Sequence, residues 1–192
     1  MRALRNPHPV MALKSTICKA ELQLSDLDRH HYGTYNLTLA RHPSETDERM
    51  MVRLFAFALF ASEFLGFGKG LSAEDEPDLV ELDPTGAIAR WIDVGLPDER
   101  DVRRACHKAA SMVLITYGGR IAEMWWQQNE SKLAGLANLT VIDLPPAATE
   151  VLSALAGRTM RLSCTIQDET VWLADEAGNH EIVPVWRKRA AG

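Results

Sequence analysis

Apolar and polar positions alternate twice near the start of the chain, along Lys14 to Leu24 and again along Tyr32 to Ala40. Each alternation predicts a strand with one buried face. The polar connection through Asp26, Asp28, His30 and His31 predicts the turn between them. Neighbours on an extended chain point to opposite sides, so the adjacent histidines read as solvent-facing rather than as a shared metal ligand pair. The period then lengthens. From Thr46 to Ala61 good helix formers run without a breaker. Ser44 is the expected N-cap, with Asp47 three residues on as an approximate capping box. Glu48, Val52, Phe55 and Leu59 share one stripe of that helix. Glu48 therefore either looks towards a sheet from an otherwise apolar face or serves the helix dipole in the first turn, with Glu45 as its rival.

The stretch Glu74 to Gly95 predicts a β-hairpin. Asp83-Pro84-Thr85-Gly86 carries the residue preferences of a type I turn. With Leu82 opposed to Ala87, the register sets Asp78 opposite Trp91. Asp78 and Asp93 then share a face as diagonal neighbours, with Cα atoms about 7–8 Å apart. Two carboxylates at that spacing suit a hard cation, Mg²⁺ or Mn²⁺. The same residues also fit a plainer arrangement in which Asp93 ends a strand and Asp78 caps a turn.

Beyond the hairpin the elements alternate. Pro97-Asp98-Glu99 opens a second helix, with Val102, Ala105, Cys106 and Ala109 inward and Arg100, Arg103, Arg104 and Lys108 outward. Met112 to Thr116 predicts a buried strand ended by Tyr117-Gly118-Gly119. Arg120 to Leu133 predicts a helix carrying Trp125 and Trp126, whose indoles suit core packing or base stacking. Leu139 to Leu144 predicts another strand and Ala147 to Ala156 a short helix. From Thr159 the alternation in MRLSCTIQ, TVWLAD and HEIVPVW predicts a terminal antiparallel meander. Helix, apolar strand and glycine turn in that order imply an α/β fold with some parallel pairing.

Composition narrows the picture. The chain has 192 residues, 46% of them hydrophobic and 24% charged, which suits one soluble domain. Its longest unbroken apolar run, Leu54 to Ala61, is too short to span a membrane, and no signal-like core follows Arg2 and Arg5. Cys18, Cys106 and Cys164 have no metal-ligand spacing and read as free thiols in a cytoplasmic setting. The net charge of −5 weighs against a strong sequence-independent grip on nucleic acid. Gly66-Phe67-Gly68-Lys69-Gly70 lacks the spacing of a nucleotide-binding loop and is rejected as one. Lys69 stays of interest as a cation able to reach the hairpin.

Pro77-Asp78, a turn, a strand and then Asp93-Val94-Gly95 resemble the PD-(D/E)XK nuclease signature with its final lysine missing. More specifically, the chain resembles the YaeQ family of small bacterial proteins. The resemblance is carried by MALKSTICKAEL from Met11, LTLARHPSETDERMMVRLFAFAL from Leu37, EDEPDL, WIDVGLPDE, TYGG with WWQQN, and CTIQDETVWL. It spans roughly Met11 to Val185, leaving residues 1–10 as a disordered or mis-assigned N-terminal extension, 11–186 as a single domain and 187–192 as an exposed basic tail.

The resemblance implies a restriction-endonuclease-like fold: a central mixed sheet flanked by helices, with added antiparallel strands at both ends. It also implies metal-dependent phosphodiester hydrolysis, with Asp78, Asp93 and the Val94 carbonyl holding Mg²⁺ or Mn²⁺ and Glu48 joining them by its position on the first core helix. The motif lysine is absent, since Gly95 stands in its place. Arg104, Lys108 and Lys69 are the candidates to replace it, although arginine is a poor base. Two functions follow as expectations: a nuclease with a relocated basic group, or a non-catalytic nucleic-acid- or protein-binding module on a degenerate nuclease scaffold, with transcription as its candidate process. A cleft filled by Trp91 points to the second.

Overall fold

In the computed structural model, which describes residues 14–68 and 76–191, two mixed sheets enclose a helical layer. Strands β1 (Thr16–Asp26) and β2 (His31–Arg41) form the expected hairpin. Helix α1 (Asp47–Phe60) follows, then β3 (Leu65–Phe67), β4 (Leu79–Leu82) and β5 (Ile88–Val94). Helix α2 (Glu99–Lys108), β6 (Ser111–Tyr117), α3 (Arg120–Leu133), β7 (Leu139–Leu144) and α4 (Pro146–Ala154) alternate as the pattern predicts. The chain ends with β8 (Thr159–Gln167), β9 (Thr170–Ala174), β10 (Asn179–Ile182) and β11 (Val185–Lys188).

One sheet has the order β10-β9-β8-β1-β2 and the other β11-β7-β6-β5-β4-β3. Within them β1 pairs with β8, β5 with β6 and β6 with β7 in parallel. Most of the added strands at the two ends of the sequence thus build a second sheet, while β11 alone extends the six-stranded one. The reason lies in α1. Every residue from Met50 to Ala58 is buried, including Arg53, so this helix is apolar nearly all round and needs cover on opposite sides.

The five-stranded sheet supplies one cover through Cys18, Ala20, Leu22 and Leu24 of β1 with Leu162 and Ile166 of β8. The other comes from Ile92, Val94, Ile115 and Ile142, with α4 packed beside α1 in the same core. The opposite face of the six-stranded sheet presents Trp91, Met112, Leu114 and Val141 to α2 and α3, where Val102, Trp126 and Leu133 complete a second core.

Three local expectations are corrected. Thr46, not Ser44, caps α1, its Oγ1 accepting the Arg49 N–H at 3.1 Å, while Ser44 Oγ engages His42 Nδ1 at 2.7 Å. The terminal meander splits at Pro184, which has no N–H to continue a ladder. Ile182 closes the pairing with β9, whereas Val185–Lys188 crosses to pair with β7 in the other sheet. Arg187 and Lys188 consequently lie in an edge strand and not in a basic tail. Arg187 is pinned to Glu123 of α3 at 2.5 Å and to Asp143 at 3.4 Å.

Gly68 has a steric cause. A Cβ there would lie 1.9 Å from the Pro77 carbonyl oxygen, and its N–H donates to the Asp78 carbonyl at 2.8 Å. This close approach docks the end of β3 against the start of β4, next to the hairpin acids.

Candidate carboxylate site

The hairpin turn forms at Asp83–Gly86 but closes one residue further in than Leu82 and Ala87. The Asp83 N–H donates to the Ala87 carbonyl at 2.9 Å, with Gly86 at φ +85°. An irregularity between Glu81 and Leu82 shifts the register again, so Val80 faces Trp91 and Leu79 faces Ile92. One step on, Asp78 comes level with Asp93, not with Trp91, and the Asp78 N–H donates to Asp93 Oδ1 at 3.2 Å. The two acids are therefore closer neighbours than the diagonal pair that the sequence suggests.

Each carboxylate is engaged by the protein itself. Asp78, 6% exposed, accepts from Arg49 Nη2 at 2.7 Å on one oxygen. Its other oxygen accepts from the same nitrogen and from the Val94 N–H, both at 2.9 Å. Asp93 Oδ2 accepts from the Trp91 indole N–H at 2.8 Å. Two positions apart on β5, Trp91 and Asp93 share a face, and the buried indole fills the space beside the acid.

Arg49 does more than cap Asp78. Its Nη1 donates to Glu45 Oε1 at 2.9 Å, and Arg53 grips both oxygens of Glu45 at 2.8 Å. Arg53 also donates to the Ala40 carbonyl at 3.1 Å and lies 5.9 Å from the Phe67 ring centroid. The chain Arg53–Glu45–Arg49–Asp78–Asp93 thus ties α1 to the hairpin. Three acids share two guanidinium groups, and the surplus negative charge falls at the Asp93 end.

The titration behaviour follows from this imbalance. Burial pushes the Asp93 carboxyl up to about 6; the Trp91 indole N–H opposes the rise and the charge on Asp78 adds to it. Burial pulls the Arg49 guanidinium down, but Asp78 and Glu45 more than offset this and hold it charged. Tyr117, at the end of β6, is pushed up to about 12 by burial, against Arg49 and reinforced by Glu48, Asp78 and Glu45. Its hydroxyl consequently belongs to the same electrostatic neighbourhood.

The remaining candidates fall in different places. Glu48 is half-buried and takes part in none of these hydrogen bonds, although its charge reaches Tyr117; Glu45 is the helix-side acid joined to the hairpin. Val94 turns its N–H, not its carbonyl, to Asp78. Lys108 Nζ sits 5.6 Å from the Trp91 ring centroid, on the indole that donates to Asp93. Arg104 is exposed and pairs with Asp101 at 2.8 Å. Lys69 lies outside the described residues. Gly95 has φ +112° and open space where a Cβ would be, so no side chain occupies the motif-lysine position.

A divalent cation does not fit this arrangement as it stands. Among the described residues, no three His, Cys, Asp or Glu side chains group as a metal ion requires. Both oxygens of Asp78 are already bonded to a guanidinium, and Arg49 separates Glu45 from Asp78. Sequence reasoning missed Arg49 and Arg53, yet a signal was present: Glu45, Arg49 and Arg53 recur every fourth residue, and Arg53 interrupts the apolar run from Met50 to Ala61.

One more feature adjoins the cluster. Tyr117 leads into Gly118 and Gly119, both at positive φ, and then into α3, whose N-terminus has no side-chain cap. Backbone N–H groups at such a terminus favour an anion.

Together these features define a mixed α/β protein with two sheets around a central helix and an arginine-neutralised acid cluster at one end of it. Residues 11–184 match the family described as YaeQ protein, and the chain belongs to that family. It is 48% identical over 179 residues to the uncharacterized protein YaeQ of Escherichia coli K12, an alignment covering 93% of this chain and 99% of that one. The Salmonella typhi counterpart is 49% identical over the same length and coverage. Two crystal structures are similar at a TM-score of 0.88, each over 93% of this chain. They are the YaeQ proteins of Xanthomonas axonopodis pv. citri (49% identity, 99% of that chain) and Pseudomonas syringae (36% identity, 98% of that chain). Among the described residues no helix is long and apolar enough to cross a membrane.

Proposed function

We propose that this protein is a non-catalytic nucleic-acid-binding module of the cytoplasm, built on a restriction-endonuclease-like PD-(D/E)XK scaffold. The observation that carries the reading is the Arg49 guanidinium bridging Glu45 and Asp78. A permanent cation of the protein stands where hydrolytic members of such a superfamily need an exchangeable one. Gly95 in place of the motif lysine and Trp91 packed against Asp93 agree with it. The uncapped α3 N-terminus, beside Tyr117 and followed by Arg120, offers a phosphate contact that needs no metal.

The test is fluorescence anisotropy with short single- and double-stranded DNA and RNA, at several salt concentrations and with and without Mg²⁺ or Mn²⁺. Gels of the same mixtures report cleavage. The expected result is salt-dependent binding of at least one nucleic acid, unchanged by metal, with no cleavage. Binding that is absent throughout overturns the nucleic-acid assignment and leaves a protein partner.

A second reading, a Mg²⁺- or Mn²⁺-dependent phosphodiester hydrolase, is favoured by the carboxyl of Asp93, which burial and Asp78 push up to about 6. That is the behaviour of an acid short of a counter-ion. This reading requires Arg49 to leave Asp78. Metal-dependent cleavage abolished by Asp78→Asn decides for it.

A further inference from the structure

At the far end of α1 from the acid cluster, a cleft of about 480 Å³ opens between the two sheets. From Arg49 to Phe60 the helix rises about 16 Å at 1.5 Å per residue, so the cleft is a separate place. Its wall is apolar: Leu59 and Phe60 from the last turn of α1, Ile166 from β8 and Trp186 from β11. The size falls within the range of small-molecule sites, which combine apolar walls with a few placed polar groups.

The charges at its mouth pair off unevenly. Arg29 is bound to Asp26 at 2.6 Å, Arg90 to Glu81 at 3.0 Å, and Glu169 to Arg189 at 2.7 Å. Asp28 and Asp168 are left, and among the described residues neither meets a cation. Asp28 accepts the backbone N–H groups of Asp168 at 2.8 Å and Glu169 at 2.9 Å. Those two residues form the β8–β9 turn with φ of 51° and 61°, a left-handed conformation that aspartate tolerates and glutamate seldom adopts. Two acidic side chains thus sit side by side at the mouth of the cleft, their backbone anchored by a third carboxylate from another hairpin.

We propose that this cleft binds a small organic cation: an amine or guanidine with an aromatic or branched apolar body. The body fills the space between Phe60, Ile166 and Trp186, and the cationic head meets Asp28 and Asp168. An anionic ligand of the same shape meets two unpaired carboxylates and is rejected.

The probes are tryptamine, the neutral tryptophol and the anionic indole-3-propionate. Each is titrated to about 10 mM into the full chain while the indole N–H resonances are followed by ¹⁵N-correlated NMR. Trp186→Phe assigns the relevant resonance. Tryptamine is expected to shift the Trp186 indole N–H saturably, tryptophol to bind about fivefold more weakly, and indole-3-propionate not to bind. Asp168→Asn keeps the backbone N–H that Asp28 holds and introduces a residue suited to the left-handed turn. It is expected to keep the fold, checked by an unchanged melt, and to bring tryptamine down to the affinity of tryptophol. No saturable shift with tryptamine, equal binding of the three probes, or an Asp168→Asn variant that binds tryptamine as the wild type does overturns the proposal.

Discussion

Replacing Asp93 and Asp78 separately with asparagine should change stability with opposite signs, although the two acids touch. The Asp93 carboxyl titrates near 6 in the folded chain, against about 3.8 for a free one. A shift of about two pH units corresponds to roughly 3 kcal/mol. The folded state binds the proton more tightly, so between about pH 4 and pH 6 it carries more protons than the unfolded chain. Stability from this group is thus fully present below about pH 4, falls as pH rises, and is lost above about pH 6. At pH 7 the ionised side chain is a net cost. Asp93→Asn removes that cost but offers one acceptor oxygen where Asp93 serves two N–H donors, and partial exposure lets water screen the charge. A gain of about 1–2 kcal/mol at pH 7 remains, shrinking towards zero near pH 4.

Asp78 behaves differently because its charge is partnered. Asp78→Asn strips Arg49 of its carboxylate in a buried setting and should cost about 3 kcal/mol at pH 7. Urea denaturation at pH 4.5 and pH 7 measures both, and for a chain of this size each kcal/mol moves the melting temperature by about 2–4 °C. Asp93→Asn melting lower than wild type at pH 7 refutes the reasoning. So does a Mn²⁺-dependent rise of the wild-type melt that Asp93→Asn abolishes, because it means that a metal, not Arg49, is the natural counter-ion.

Other substitutions test the supports of the site. Glu45→Ala should lose about 3–5 kcal/mol in urea denaturation, since it leaves fully buried Arg53 without its carboxylate. Gly68→Ala should cost about 3 kcal/mol or prevent folding, because its Cβ meets the Pro77 carbonyl oxygen; thermal melts of the purified variant check it. Thr46→Ala should cost about 1 kcal/mol and Ser44→Ala close to nothing, which melts also resolve. Burial pushes the Cys106 thiol up to about 11 and that of Cys164 up to about 12. Neither should react with a colourimetric disulfide reagent in the native state at pH 8, and both should react in urea.

The elements were legible where period and punctuation agreed. Arg120–Leu133 and Leu139–Leu144 lie where the apolar spacing puts them, and the two hairpins follow from alternation and turn chemistry. What the period cannot supply is which strands meet across distance. That β8 pairs in parallel with β1, 140 residues earlier, follows from packing around α1 and not from any local signal. The hint was available in α1 itself, whose buried run from Met50 to Ala58 has no polar face broad enough for solvent. The register error at Asp78 has a local cause. A glycine at positive φ and an irregular step after Glu81 add up to a two-residue shift, and turn type alone does not reveal both.

The site was half legible for a related reason. Sequence spacing identifies acids that share a face, but it does not say what neutralises them, because the counter-charge comes from a helix some thirty residues away in sequence. Arginine at that place changes the chemistry more than the lack of a side chain at Gly95 does. A water-bound divalent ion exchanges and polarises a phosphoryl oxygen, whereas a guanidinium remains attached to its helix and keeps its proton. Arg49 is also buried, bonded to two carboxylates, and held by the same Glu45 that satisfies Arg53. Pulling it away from Asp78 therefore leaves an uncompensated charge beside the fully buried ion pair that anchors α1. The cluster's first role is thus to fix the helix against the hairpin, and any ligand chemistry at Asp93 acts on a framework already closed by arginine.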